Sequence, residues 1–150
     1  MSSLITIRHA HATDLPMVYS GEHDYIRQIE PDQEANWIKG LRSHLLQWTE
    51  NLERMFVAKQ EGDAAGYCFW QIDGDVAVLA SIYVVPALRG RAIGRQLLAQ
   101  YIDDAHAQGF SKLMLGVKDG NPAQRLYEKA GFEFLHEDRG YRHYVYPAGV

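Results

Sequence analysis

The stretch Ser81-Ile82-Tyr83-Val84-Val85-Pro86-Ala87-Leu88-Arg89-Gly90-Arg91-Ala92-Ile93-Gly94-Arg95-Gln96-Leu97-Leu98 reads as a strand, a loop and the start of a helix. The strand ends at Pro86, and a helix begins near Ala92 or Gly94. Small residues at Gly90, Ala92 and Gly94 let backbone amides approach a ligand closely. Those amides, added to the positive end of a helix, make an anion site. Arg89, Arg91 and Arg95 crowd the same turn. The helix dipole disfavours a cation there by about 0.3–1 kcal/mol each. In a chain of net charge −4, three arginines at this point imply an anion that satisfies them; the bland alternative is a solvent-exposed basic turn. Two familiar phosphate loops do not fit. The nucleoside-triphosphate loop needs Gly-Lys-Ser/Thr, and Gly94 is followed by Arg95-Gln96. The dinucleotide fingerprint needs G-x-G-x-x-G, a spacing that Gly90 and Gly94 do not meet.

Outward from this stretch, the chain alternates strands and helices. Leu4 to Arg8 alternates as a half-buried strand. Thr13 or Asp14 can cap a short helix with Pro16 in its first turn, and Gly21 ends it. A second helix is expected over roughly Asp32 to Trp48, with Trp37, Ile38, Leu41, Leu45 and Trp48 on one apolar face. Arg54 to Lys59 and Ala65 to Ile72 read as strands joined at Gly62-Asp63. After the turn Asp73-Gly74-Asp75, Val76 to Val85 is a long apolar strand, suited to a central place covered on both sides. Ile93, Leu97, Leu98, Tyr101, Ile102 and Ala105 form the stripe of a helix that Gly109 ends. Lys112 to Val117 reads as another buried strand. Asn121 and Pro122 read as cap and first residue of a helix that stops at Gly131. Phe132 to Leu135 and Tyr141 to Tyr146 are the last strands. The fold class is α/β: a mixed, mostly antiparallel central sheet of about seven strands with flanking helices.

The bulk properties narrow the function. A chain of 150 residues suits one domain, 1–150, with one sizeable core. The net charge gives no bulk attraction to nucleic acid or anionic membrane. No apolar run approaches the ~20 residues of a membrane span. Met1 to Arg8 lacks the basic start and apolar stretch of a secretion signal. Cys68 is the only cysteine, read as a small buried filler. Together these fit a cytoplasmic protein. The close pair His9 and His11 has no third ligand nearby, so no metal site is expected.

Ser81 to Leu98 resembles the coenzyme-A loop of the GCN5-related N-acetyltransferase family, whose pattern is Arg/Gln-x-x-Gly-x-Gly/Ala; here it runs Arg89-x-x-Ala92-x-Gly94. Alanine resists positive φ, and the change is tolerated where the backbone at Ala92 is helical. A second segment, Asn121-Pro122-Ala123-Gln124-Arg125-Leu126-Tyr127-Glu128-Lys129-Ala130-Gly131-Phe132, resembles the family's Asn…Leu-Tyr-x-x-x-Gly-Phe element, with one residue fewer between Asn and Tyr.

The resemblance implies the acyl-coenzyme-A N-acyltransferase fold, acetyl-coenzyme A as co-substrate, and a primary amine that attacks the thioester directly. Backbone groups of Ile82, Tyr83 and Val84 would pair with the pantetheine arm as an added strand. The amides of Gly90, Arg91, Ala92, Ile93, Gly94 and Arg95, with Arg89 at the head of the loop, would hold the pyrophosphate, and Asn121 would reach the coenzyme. Tyr127 would protonate the departing thiolate and touch the coenzyme; the alternative is a core tyrosine that pins its helix.

The general base stays open. An ammonium has no lone pair and must lose a proton before attack. Some family members carry a glutamate on the strand before the second motif; the corresponding residue here is Gly116. Glu22, His23, Asp24, Glu30, Asp73, Asp75 or a water chain remain. Glu22-His23-Asp24-Tyr25 follows the expected first helix, where the family shapes its acceptor pocket. Glu22, Asp24, Glu30, Asp32 and Glu34 against Arg27 could attract a cationic amine or form a solvated face. Tyr141 to Tyr146 could pair with a second subunit or close that pocket. The rival readings are a non-catalytic acyl-coenzyme-A sensor and an interaction protein of the same fold.

Overall fold

The computed structural model describes residues 4–147. Residues 1–3 and 148–150, the ends of the expected 1–150 domain and the start of the Met1–Arg8 stretch, lie outside it. Seven strands, β1 (Ile5–His9), β2 (Met55–Gln60), β3 (Asp63–Asp73), β4 (Val76–Val84), β5 (Lys112–Lys118), β6 (Glu133–Asp138) and β7 (Tyr141–Tyr146), form one sheet in the order β1-β2-β3-β4-β5-β7-β6. Every neighbouring pair is antiparallel except β4 and β5. The helices are α1 (Leu15–Ile29), α2 (Glu34–Lys39), α3 (Leu41–Glu50), α4 (Ile93–Ala107) and α5 (Gln124–Lys129). None among the described residues is long and apolar enough to cross a membrane.

Helix α4 forms because its apolar residues recur at helical spacing. Ile93, Leu97, Leu98, Tyr101 and Ala105 are all buried against Cys68, Trp70, Ala77, Leu79, Leu113 and Leu115 of the sheet. Each large side chain so buried contributes about 1.5–3 kcal/mol. The Tyr101 hydroxyl donates to the Ala77 carbonyl at 2.9 Å and to the Met114 carbonyl at 3.0 Å, so it ties β4 to β5 where they pair. The opposite face carries α1, with Val18, Trp48, Met55, Val57, Tyr67 and Phe69 as its core.

Several elements differ from the sequence reading. Gly21 does not end the first helix: α1 continues to Ile29, and Gly21 is buried inside it. The helix needs glycine there because its backbone rests on two aromatic rings; a Cβ would lie 2.6 Å from Tyr67 Cε2 and 2.9 Å from Tyr83 Cδ2. The residues Glu22 to Tyr25 are therefore helical rather than following the helix. The long second helix is two, α2 and α3, broken at Gly40. The bend turns Trp48 inward but leaves Ile38, Leu41 and Leu45 exposed, so the expected stripe is split. A run of rings holds the bend: His23, Trp37, His44 and Trp48 stack in sequence with centroids 5.1, 4.9 and 6.0 Å apart.

Strand β5 is not buried throughout. Leu113, Leu115 and Val117 are buried, and the residues between them are not. Helix α5 begins at Gln124, two residues later than its Asn-Pro start suggests. Asn121 Oδ1 accepts from the Ala123 amide at 2.9 Å and makes a turn before the helix. Strand β7 has β5 on one side and β6 on the other, so the tail has no free edge; the edge strands of the sheet are β1 and β6.

Candidate active site

Strand β4 pairs with β3 along its whole length, but the register slips between Phe69 and Trp70. Trp70 lies opposite Leu79 and Phe69 opposite Ser81, so Ala80 is an unpaired bulge residue. A bulge bends its strand and increases the local twist. On the other side, β4 pairs with β5 only from Val76 to Leu79, against Lys112 to Leu115. Beyond the bulge the two strands part, and the β5-facing backbone edge of Ala80 to Val84 has no strand partner among the described residues. This explains why Ser81 to Val84 are only half-buried, although the apolar run suggested a strand covered on both sides.

The gap is a cleft of about 560 Å³. Its walls are Leu79 to Val84 from β4, Leu115 to Val117 from β5, Glu22 and Tyr25 from α1, and Asn121 to Ala123, Leu126 and Tyr127 from the approach to α5 and α5 itself. One end opens onto Leu88, Arg89, Gly90, Ala92, Ile93, Gly94 and Arg95. Free strand edge and phosphate-type loop thus line one cleft.

The loop is built for backbone contact. Gly90 has φ +83° and Ala92 φ +65°. Ala92, the residue before α4, is left-handed rather than right-handed helical, a conformation costing an L-residue about 1–2 kcal/mol. The turn exposes the first amides of α4 to the cleft, where its dipole favours negative charge. Gly94 sits against Leu126 and Val84; a Cβ there would come within 3.3 Å of Leu126 Cδ2. Of the three arginines, Arg89 and Arg95 line the cleft, while Arg91 is exposed on the turn and does not. Arg89 folds back: its Nε donates to the Val84 carbonyl at 3.0 Å and its guanidinium lies 5.5 Å from the Tyr83 ring centroid.

The four expected acceptor residues separate. Glu22 and Tyr25 line the cleft. His23 is turned away, donating from Nε2 to Glu34 at 2.8 Å while stacked on Trp37. Asp24 accepts from the Tyr83 hydroxyl at 2.6 Å and lies 4.0 Å from Arg89. Burial first, and the Asp24 carboxylate second, push the Tyr83 hydroxyl up to about 12 against the opposing effect of Arg89. Glu30 accepts from the Tyr141 hydroxyl. Asp73 and Asp75 flank the β3–β4 turn, at the end of β4 remote from the loop. None of His23, Glu30, Asp73 and Asp75 lines the cleft.

Tyr127 is buried and faces the cleft. Burial pushes its hydroxyl well above the ordinary tyrosine value, so it holds its proton at neutral pH. Tyr25, pushed up to about 12 mainly by burial, also stays neutral. Cys68 is fully buried against α4, and burial raises its thiol as well, which leaves it inert as a nucleophile.

Sequence reasoning missed Tyr67 and the hydroxyl of Ser81. Both donate to Glu22 Oε2, at 2.8 and 2.7 Å. Nothing local marks Tyr67, which reads as one more aromatic in a strand. The sharp hint was Gly21, whose missing side chain admits that ring.

Comparison with known proteins agrees with this geometry. The model of the acetyltransferase (GNAT) family matches residues 17–132. The [ribosomal protein bS18]-alanine N-acetyltransferase of Haemophilus influenzae is 29% identical over 134 residues, covering 84% of this chain and 85% of that protein. Among solved structures, the PaiA N-acetyltransferase of Thermoplasma acidophilum in complex with coenzyme A superposes with a TM-score of 0.79 at 20% identity, over 96% of this chain and 99% of that one. It shares the fold. The ribosomal-protein-S18-alanine N-acetyltransferase of Escherichia coli is 25% identical with a TM-score of 0.68, over 98% of this chain and 96% of that one.

Proposed function

Since the chain belongs to the acetyltransferase (GNAT) family, we propose that it is a single-domain N-acetyltransferase whose cleft holds acetyl-coenzyme A as co-substrate and whose acceptor is a primary amine. The observation that carries the reading is the splay of β4 from β5 beyond Ala80, continuous with the loop at the head of α4. The pantetheine amides would pair with the free edge of Ile82, Tyr83 and Val84. The pyrophosphate would rest on the amides from Gly90 to Arg95, with Arg89 and Arg95 beside it and Asn121 toward the arm.

The thioester then falls between the bulge and Gly116, near Tyr127. The amine attacks its carbonyl directly, since no reactive nucleophile lines the cleft among the described residues. Charge developing on the carbonyl oxygen is met by a backbone amide of β4. Tyr127 gives its proton to the coenzyme sulfur as the carbon–sulfur bond breaks. A nascent thiolate in the same apolar pocket is itself desolvated and hence more basic than in water, which favours that transfer.

The names of the relatives make a peptide beginning with alanine the first acceptor to try. A cytoplasmic location accords with the single buried cysteine. Thiol release from acetyl-coenzyme A in the presence of that peptide and a panel of amines tests the reading. Coenzyme A binding with no turnover on any amine would make the protein a sensor instead. Absence of thermal stabilisation by coenzyme A would remove the ligand altogether.

A further inference from the structure

Glu22 is the one carboxylate among the residues that line the cleft. It is carried into position by α1, which can approach the sheet this closely only because position 21 lacks a side chain. Tyr67 from β3 and Ser81 from β4 both bind Oε2, while Oε1 takes no hydrogen bond among the described residues. Nor does Glu22 form an ion pair there. A half-buried carboxylate is normally paired with a cation or turned to water. This one is pinned at one oxygen, unmatched in charge, and presents the other oxygen to a cleft. Ser81 follows the bulge residue, so the free oxygen stands beside the point where β4 leaves β5. Across the gap, Gly116 offers no side chain at all.

We propose that Glu22 is the general base, taking a proton from an acceptor that arrives as a charged ammonium group, with Tyr67 and Ser81 as its positioning residues. This rests on the acetyltransferase reading above. The ammonium transfers one proton to Glu22, and its freed lone pair forms the carbon–nitrogen bond. The carbon–sulfur bond breaks, and the sulfur takes the Tyr127 proton. The second amine proton passes to the tyrosinate, and Glu22 returns its proton to solvent. Mass and charge balance as ammonium plus thioester giving amide, thiol and one proton.

Burial holds the Glu22 carboxyl above the ordinary glutamate range, only partly offset by the Ser81 and Tyr67 hydroxyls. The ionisable groups around it are Tyr67 and Tyr83 of the sheet, Asp24 and Tyr25 of its own helix, Arg89 of the loop and Tyr127 across the cleft. The tyrosines are raised and keep their protons at neutral pH, and Asp24 is engaged by Tyr83 and Arg89, so Glu22 is the carboxylate left facing the cleft.

The test compares wild type with Glu22→Gln and Ser81→Ala, using an alanine-initiated peptide and an arylamine that is uncharged at assay pH. Glu22→Gln is expected to lose about 10²-fold or more in kcat on the peptide, to lose the acid limb of its pH profile, and to lose at least tenfold less on the arylamine. Its stabilisation by coenzyme A is unchanged, and at neutral pH it melts at or above wild type. Ser81→Ala shifts the acid limb without abolishing it. Wild-type turnover by Glu22→Gln, or an equal loss on both amines with the acid limb intact, overturns the proposal. If wild type acetylates no amine, the transferase reading fails. With no transfer to catalyse, Glu22 then has no proton to take, and the base assignment falls with that reading.

Discussion

Gly21 and Tyr67 touch with no room for a methyl group: a Cβ on Gly21 would sit 2.6 Å from the tyrosine ring and 2.7 Å from its hydroxyl oxygen. The contact sets the height of α1 above the sheet, and with it the position of Glu22. Gly21→Ala forces the ring or the helix to move, a form of overpacking that costs about 1–3 kcal/mol. We expect a lower melting temperature and reduced turnover, with coenzyme A binding less affected because the loop lies elsewhere. An unchanged melting temperature would show that Tyr67 yields freely.

Tyr127→Phe removes a hydroxyl and keeps the ring against Phe132, whose centroid is 6.4 Å away. Turnover should fall about 10²-fold while the thermal shift given by coenzyme A stays the same. Equal turnover would return Tyr127 to a purely structural role.

Gly94→Val places a branched side chain between Leu126 and Val84, where a bare Cβ is already 3.3 Å from Leu126. Coenzyme A affinity should weaken at least tenfold, about 1.4 kcal/mol. Calorimetric titration reads this directly, and undiminished affinity would place the pyrophosphate away from the loop.

Ala92→Gly should be tolerated or slightly stabilising. Relief of the left-handed strain, about 1–2 kcal/mol, outweighs the added freedom of the unfolded chain, about 0.4–1 kcal/mol. Ala92→Val should do the reverse and lower the melting temperature, because a branched side chain at φ +65° is worse placed than alanine.

Asp14 accepts from the Arg8 guanidinium at 2.8 and 3.0 Å and from the His11 amide at 2.8 Å. Its carboxyl is held below the usual aspartate range, first by Arg8. A depressed carboxyl stabilises the fold above its unfolded pKa of ~3.9 and loses that contribution as pH falls through the folded value. Asp14→Asn should therefore melt below wild type at pH 7, with the gap closing as pH falls below about 4.

What was legible in the sequence was local. The strand, loop and helix from Ser81 to Leu98 are encoded by neighbours: an apolar run, small residues at a turn, then apolar residues at helical spacing. The second motif around Tyr127 was readable for the same reason. Gly21 was misread because its cause is a ring on another strand, and a glycine amid polar residues otherwise looks like a helix end. His23 was misplaced because its partner Glu34 belongs to another helix. The bulge at Ala80 leaves no mark in the residues of β4; it appears only when β3 is laid beside it. Pairings between distant segments carry this part of the site, and periodicity does not record them.

The short run of parallel pairing between β4 and β5 has a mechanical consequence. The seven strands amount to a four-stranded leaf and a three-stranded leaf, sewn together over Val76 to Leu79 and reinforced by the Tyr101 hydroxyl. Past that seam the chain leaves its own ladder unfinished. A pantetheine arm laid into the gap would add the missing rungs, so a diffusible small molecule would complete the sheet. The two leaves should then breathe apart most readily when acetyl-coenzyme A is scarce, and amide exchange at Ile82 to Val84 would register its supply.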